Sequence, residues 1–576
     1  MEYKPTTIKC QNCKNSFTIE PDDFSFYEKI KVPPPTFCPE CRMQRRLAWR
    51  NERNLYKRKC DVPGHDEYII SMYSQDVPFP VYDPKFWWGD GWNAGDYQIE
   101  VDFLRPFFLQ WQELLNKVPT ISLINLQDVA SDFCNFTYQS KNCYLNFASD
   151  MNEDTAYLYH SIENRNCYDM LGSRKNENCY ELIDCEECYN SEHLILSSNC
   201  IDSKFCYDCR GCSSCIGCVG LRTVKNCILN IKYQENEYKK KSESLNLSKK
   251  EGRENFEKEF KLLLSKQPRK FSNSRQVVNS TGDYLNGVKN SKDCFDIEGP
   301  LEDSRFVVYG VTDMRNIYDG YAIGVNIENS YELMDSGDNV QNTAFCGNVW
   351  VGYSNRYCYF VKNCSNCFGC VGIRNKQYCV LNKQYTKEEY ESLLPKLIEH
   401  MNNVPYVDKK GISHRYGEFF PSELSPFAYN ESMASEIFPK NKEEILKQRY
   451  SWKEKTERNY KIDIKLKNLP EQIEDIDNEI VEKVIECLHD GKCEENCTLG
   501  FKIIPEELQF YKRMNLPLPR FCPNCRHYER LAQRNPMKLW HRKCMKEGCK
   551  NEFETSYAPE RPEIIYCEKC YQKEVY

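Results

Sequence analysis

Long apolar runs are missing from this chain. No stretch of its 576 residues is long enough and apolar enough to span a bilayer, and the mean hydropathy is −0.71. The opening MEYKPTTIKC lacks the apolar stretch of a secretory signal. A cytoplasmic protein without a membrane anchor is therefore the expectation. Histidine is scarce, at eight residues, so spacing locates no Cys–His pairing. There is no GxGxxG followed by a ribose-binding acid, no phosphate-binding P-loop and no HExxH. None of the 85 acidic residues stands out as a catalytic pair, so no catalytic residue is assigned. A net charge of −7 excludes the molecule as a whole from binding nucleic acid electrostatically, and leaves local basic patches open.

Cysteine is abundant, at 34 residues. In a cytoplasmic setting these are thiols and metal ligands rather than disulfides. The chain is also duplicated. From Phe37 to Cys60, fourteen of 24 positions recur at an offset of 484, in Phe521 to Cys544. Two ends of the chain are thus one module, at 1–90 and 487–576. In the first, Cys10-x-x-Cys13 and Cys38-x-x-Cys41 supply four thiolates, which suits the tetrahedral shell of a structural Zn2+. In the second, Cys497, Cys522 and Cys525 match, and Cys493 takes the place of Cys10 one residue out of register, with Cys487 a competing ligand. Cys544, Cys549, Cys567 and Cys570 make a further four-cysteine site there. Its counterparts at the offset of 484 are Cys60, His65, Asp83 and Phe86, and Phe86 cannot ligate. One zinc in the N-terminal module and two in the C-terminal one are expected.

The stretches FTIEPDDFSFYEKIKVPPPTFCPECR and FKIIPEELQFYKRMNLPLPRFCPNCR resemble the probable treble-clef zinc-ribbon family. The whole layout is similar to large uncharacterised cysteine-rich bacterial proteins. The resemblance implies zinc binding and a small ribbon fold, and no catalysed reaction.

Between the modules lie five further segments. An amphipathic helix is expected within 91–133, starting after Pro106. In 134–230 Asn-Cys-Tyr recurs at Cys143, Cys167 and Cys179, which indicates a unit of about a dozen residues. Cysteines then fall on every third position from Cys206 to Cys218. Residues 291–383 repeat this block, with Cys364, Cys367, Cys370 and Cys379 lying 152 after Cys212, Cys215, Cys218 and Cys227. Short segments separated by Asn, Ser, Asp and Gly point to a cysteine-rich parallel β-solenoid. Its cysteines are read as inward-facing thiols, with extra zinc or an iron–sulfur cluster as alternatives. The charged insertion 231–290 is expected to be helical and solvent-facing. In the connector 384–486, Thr386 and Glu389 form a capping box, and LPEQIEDIDNEIVEKVIECL is expected to be helical.

The fold class is thus multidomain α+β and mainly β, with terminal treble-clef modules flanking a β-solenoid. The functional expectation is a zinc-binding, non-enzymatic interaction scaffold for an unidentified protein partner. An alternative comes from Arg42, Arg46 and Arg50 and their counterparts Arg526, Arg530 and Arg534. Four-residue spacing puts each trio on one helical stripe, which can hold the phosphates of a nucleic acid or pair with acidic parts of the chain. A third reading is an enzyme that uses the solenoid surface.

Overall fold

The computed structural model of the chain describes residues 3–454, 460–493 and 495–575. It is a mixed structure with many two-stranded sheets, a five-stranded sheet and a ten-stranded sheet, the last mostly parallel. Among the described residues no helix is long and apolar enough to cross a membrane.

Two parallel ladders form the middle. In the first, each residue pairs with the one twelve positions on, from Asn125↔Thr137 through Tyr168↔Tyr180 to Ser213↔Lys225. The second begins with Arg275↔Asn286 and ends with Phe368↔Val380. Both ladders start before the boundaries expected at 134 and 291. The second is also irregular. Its register lengthens to thirteen at Val288↔Leu301 and Ile327↔Val340 before returning to twelve.

A three-residue step generates these coils. Along the first ladder every third residue has a left-handed backbone, including Asn142, Leu145, Ala148, Met151, Asp154 and Tyr157. Asn, Asp and Gly tolerate that conformation best, and the coil-to-coil hydrogen bonds hold the other residue types in it. One is Tyr168 N–H to the Cys179 carbonyl at 3.0 Å. The residue after each left-handed one points inward, so cysteines spaced by three all share the interior. Cys206, Cys209, Cys212, Cys215 and Cys218 are buried. Polar inward residues satisfy one another in stacks. Asn164 donates to Asn152 Oδ1 at 3.1 Å, and Asn176 donates to Asn164 Oδ1 at 3.0 Å.

The flanking elements cover the ladders. Helix Phe107–Leu115 starts after Pro106 as expected, and its Trp111 stacks on Phe420 at 4.2 Å. Thr386 and Glu389 form the capping box of helix Lys387–Asn403. Two expectations are corrected. The insertion is not purely solvent-facing, because helix Lys250–Lys266 buries Phe256 and Phe260 against Phe205, Ile216 and Ile228. The acidic stretch 469–488 forms no α-helix. It makes 3-10 turns at Ile473–Asp475 and Asn478–Glu482, then a strand Ile485–Glu486. There Ile473, Ile476 and Ile480 are drawn individually onto the core of the C-terminal module, which outweighs local helix propensity.

The two terminal modules have the same plan. In the first, hairpin Thr6–Lys9/Ser16–Ile19 is followed by helices Pro21–Lys29 and Pro39–Leu47 and hairpin Tyr56–Lys59/Tyr68–Ser71. In the second, Ile485–Glu486 pairs with Gly500–Phe501, and helices Pro505–Met514 and Pro523–Leu531 precede hairpin Trp540–Lys543/Glu552–Thr555. They dock crosswise. The N-terminal module sits on the second ladder, with Phe26 stacked on Tyr318 at 3.8 Å. The C-terminal module sits on the first, with Phe510 stacked on Tyr168 at 4.3 Å.

Candidate metal centres

Three groups of four cysteines bring their sulfurs within 4.8 Å of one another. They are Cys10, Cys13, Cys38 and Cys41; Cys487, Cys497, Cys522 and Cys525; and Cys544, Cys549, Cys567 and Cys570. Each joins two cysteines from a hairpin region to two at the start of a helix. Cys38 and Cys522 are N-caps, and Cys41 and Cys525 lie in the first turn behind Pro39 and Pro523. A helix N-terminus favours negative charge, so it suits thiolates.

The spacing of the sulfurs tests whether an ion fits. Thiolates about 2.3 Å from a central zinc form a tetrahedron with edges of about 3.8 Å. The observed separations are 3.7 Å for Cys13–Cys38, 3.8 Å for Cys487–Cys525, 3.5 Å for Cys522–Cys525 and 3.9 Å for Cys549–Cys567. A disulfide would bring two sulfurs to about 2.05 Å, and none of the 34 cysteines forms one. Outer N–H donors already point at the sulfurs. They include Asn12 Nδ2 to Cys41 at 3.3 Å, the Thr498 amide to Cys522 at 3.5 Å and Asn551 Nδ2 to Cys567 at 3.4 Å. Such donors orient and stabilise metal-bound thiolates. The residues present therefore fit a tetrahedral ion in all three groups.

Two details differ from the spacing argument. Cys487 rather than Cys493 completes the all-cysteine group of the second module. It does so because strand Ile485–Glu486 returns the chain to the strand that follows Cys497. Cys493 lies beside it, 3.8 Å from Cys525. The degenerate site of the N-terminal module does not assemble as a ligand group. Asp83 caps helix Pro84–Trp88 through the Lys85 amide at 2.9 Å, and the His65 ring packs on Phe86 at 4.6 Å. Cys60 accepts a hydrogen bond from the Asp83 amide. Aromatic packing occupies the place of the missing ligand.

The twenty ladder cysteines, Cys134 to Cys379, are all buried. Among the described residues none belongs to a group of three ligand atoms within 4.8 Å. Their S–H groups donate to backbone carbonyls two residues back, as Cys167 does to Arg165 at 3.1 Å. This is how a small, weakly polar core residue behaves, and it leaves neither extra zinc nor an iron–sulfur cluster supported there.

The arginine stripes are not open to phosphates, and that expectation is corrected. Arg42, Arg46, Arg50, Arg526, Arg530 and Arg534 are all buried. Arg42 and Arg46 share Asp319, at 2.8 and 3.2 Å. Arg526 and Arg530 share Asp169, Arg530 at 2.6 Å. Arg50 pairs with Glu52 and, at 3.2 Å, with Asp335. Arg534 bridges Asp184 of the first ladder, at 2.8 Å, to Asp296 of the second. Five of these carboxylates, Asp169, Asp184, Asp296, Asp319 and Asp335, stand at left-handed positions of the ladders. Gly172 keeps one socket open, because a Cβ there would lie 2.3 Å from Asp184 Oδ1. Sequence reasoning missed these partners. The repeated Tyr-Asp pair, Tyr168-Asp169 and Tyr318-Asp319, is the signal that marks them.

The ladders face each other across a cleft of about 740 Å³ whose lining includes Tyr138, Asp150, Arg174, Glu298, Asp335 and Trp350. Arg174–Glu298 at 2.8 Å and Arg275–Glu186 at 2.6 Å tie its walls together. Burial, reinforced by Asp128, Asp335 and Glu298, pushes Asp150 up to about 7. No protein-family model matches the chain, and no curated protein does.

Proposed function

We propose that the protein is a zinc-stabilised, non-enzymatic binding scaffold. Each four-cysteine group holds one structural Zn2+, within terminal modules of treble-clef type. The two ladders are blocks of a β-solenoid, and the cleft between them is the surface offered to a protein partner. The observation that carries this reading is the joint position of metal ligands and arginines on one short helix. Cys38 and Cys41 start the helix that delivers Arg42 and Arg46 to Asp319, and Cys522 and Cys525 start the one that delivers Arg526 and Arg530 to Asp169. A zinc there fixes the helix, and the helix fixes the ladders. Small modules of this size draw much of their stability from the ion.

Affinity capture from the native cell tests the binding role. Val351 lines the cleft and is 40% exposed, so Val351→Arg blocks the cleft without disturbing the core. A partner that the wild type retains stoichiometrically and V351R releases is expected. Equal retention by both chains contradicts the cleft as the binding surface.

A second reading is favoured by Asp150. A carboxyl group held near neutral pH in a cleft has the property of a general acid. Turnover of a cleft-bound small molecule that is abolished by Asp150→Asn would replace the scaffold reading with an enzymatic one.

A further inference from the structure

The second module holds more ligands than one ion uses. Beside its four cysteines, His489, Cys493 and Glu495 bring one ligand atom each within 4.8 Å of one another and of the Cys525 sulfur. Cys525 thus belongs to both groups, 3.8 Å from Cys487 on one side and 3.8 Å from Cys493 on the other.

From this geometry we infer that the module binds a pair of zinc ions bridged by the Cys525 thiolate. Cys487, Cys497 and Cys522 complete the shell of one, and His489, Cys493 and Glu495 that of the other. The inference rests on the reading of the four-cysteine groups as zinc sites.

Three observations support the pair. Two tetrahedral ions that share one ligand need seven ligand groups, and these seven residues supply them. The charges also balance. Five thiolates and one carboxylate around two dications leave −2, the same as four thiolates around one. A single ion would use only four of the five cysteines and leave the fifth, with His489 and Glu495, outside its shell. Finally, His489 Nδ1 and Glu495 Oε2 lie 3.4 Å apart; the two atoms are shielded from solvent although their side chains are 30% and 35% exposed, and among the described residues neither has a hydrogen-bond partner. A metal cation between the two atoms would hold them together, with the His489 ring neutral and Nδ1 unprotonated.

The duplication provides an internal control. At the offset of 484, the N-terminal module has Tyr3, Pro5, Lys9 and Gln11 where the second has Cys487, His489, Cys493 and Glu495. None of the four N-terminal residues is a zinc ligand, and Lys9 carries the opposite charge. The second ion is therefore an elaboration of the C-terminal copy alone.

Native mass spectrometry of the full chain, purified with zinc, tests the inference. The expected count is four ions in the wild type and three in His489→Ala/Glu495→Ala, whose replaced side chains are partly exposed and outside the all-cysteine shell. Three ions in both proteins overturns the pair while leaving the three single sites standing. Fewer than three in the wild type overturns both readings. A second readout needs no variant. In the cobalt-loaded wild type, two of the four ions share a thiolate, and their magnetic coupling should remove them from the paramagnetic resonance signal. Full signal from every bound cobalt would overturn the bridge.

Discussion

Single carboxylates at left-handed ladder positions decide how the arginines are used. Asp169 and Asp319 are fully buried, and each receives two guanidinium groups. Removing one partner of a buried ion pair leaves an uncompensated charge and costs about 3–5 kcal/mol. Asp319→Asn should therefore lower the melting temperature strongly. Asp313→Asn, at an exposed left-handed position of the same ladder, should stay within about 0.5 kcal/mol of wild type. Equal melting of the two variants would show that the sockets are dispensable. Asp150 contributes a pH dependence. Its folded pKa of about 7 lies above the ordinary carboxylate value, so the folded protein holds the proton more tightly than the unfolded chain. The stability from this group is present below about pH 4 and is lost as pH rises through about 7. Denaturant titrations at about pH 5 and about pH 8 should show that loss, and Asp150→Asn should reduce it. An unchanged pH slope in the variant would assign the dependence to other groups.

At the scale of elements, helices Pro39–Leu47 and Pro523–Leu531, which each carry two cysteines of a candidate metal group at their start, would couple a bound metal to packing. Cys522→Ser should lose zinc from the second module and, with it, the hold of Arg526 and Arg530 on the first ladder. Measured zinc per chain should fall, and amide exchange should rise along Pro523–Leu531. Retained zinc with normal protection would mean that the remaining ligands suffice. Charge reversal of Arg42, Arg46 and Arg50 to Glu should unfold the N-terminal module, as circular dichroism would report, because each new carboxylate would meet a buried Asp or Glu. A folded variant that has lost retention of nucleic acid would instead restore the phosphate reading.

These elements also show what could be read from residues alone. Cysteine spacing found all three four-cysteine groups apart from the choice between Cys487 and Cys493, because ligand spacing is local while that choice depends on a strand pairing. The Asn-Cys-Tyr unit exposed the dozen-residue register, and cysteines every third residue recorded the step beneath it. The thirteen-residue coils stayed hidden, because one added residue in a three-residue rhythm leaves no composition signal. The arginine stripe was visible but its target was not. Its partners lie hundreds of residues away, and half the left-handed positions carry residues such as Leu145 and Tyr157 that do not advertise that conformation. The acidic 469–488 stretch misled for a related reason. Its isoleucines are spaced for a helix, but each is claimed by a neighbouring core.

For the whole molecule, a duplicated module grips a duplicated block in crossed order. The N-terminal module holds the second ladder through Tyr318-Asp319, and the C-terminal module holds the first through Tyr168-Asp169. Arg534 then spans both ladders through Asp184 and Asp296. In this account zinc reaches the cleft at a distance, by way of helices and arginines, and never by touching a ligand. The most direct measurement is amide hydrogen exchange of the full chain, zinc-loaded and after chelation, followed along both ladders. Chelation should release protection in the coils around Asp169 and Asp319, far in sequence from the cysteines of the three groups. Full loss of zinc with undiminished protection in those coils would contradict it.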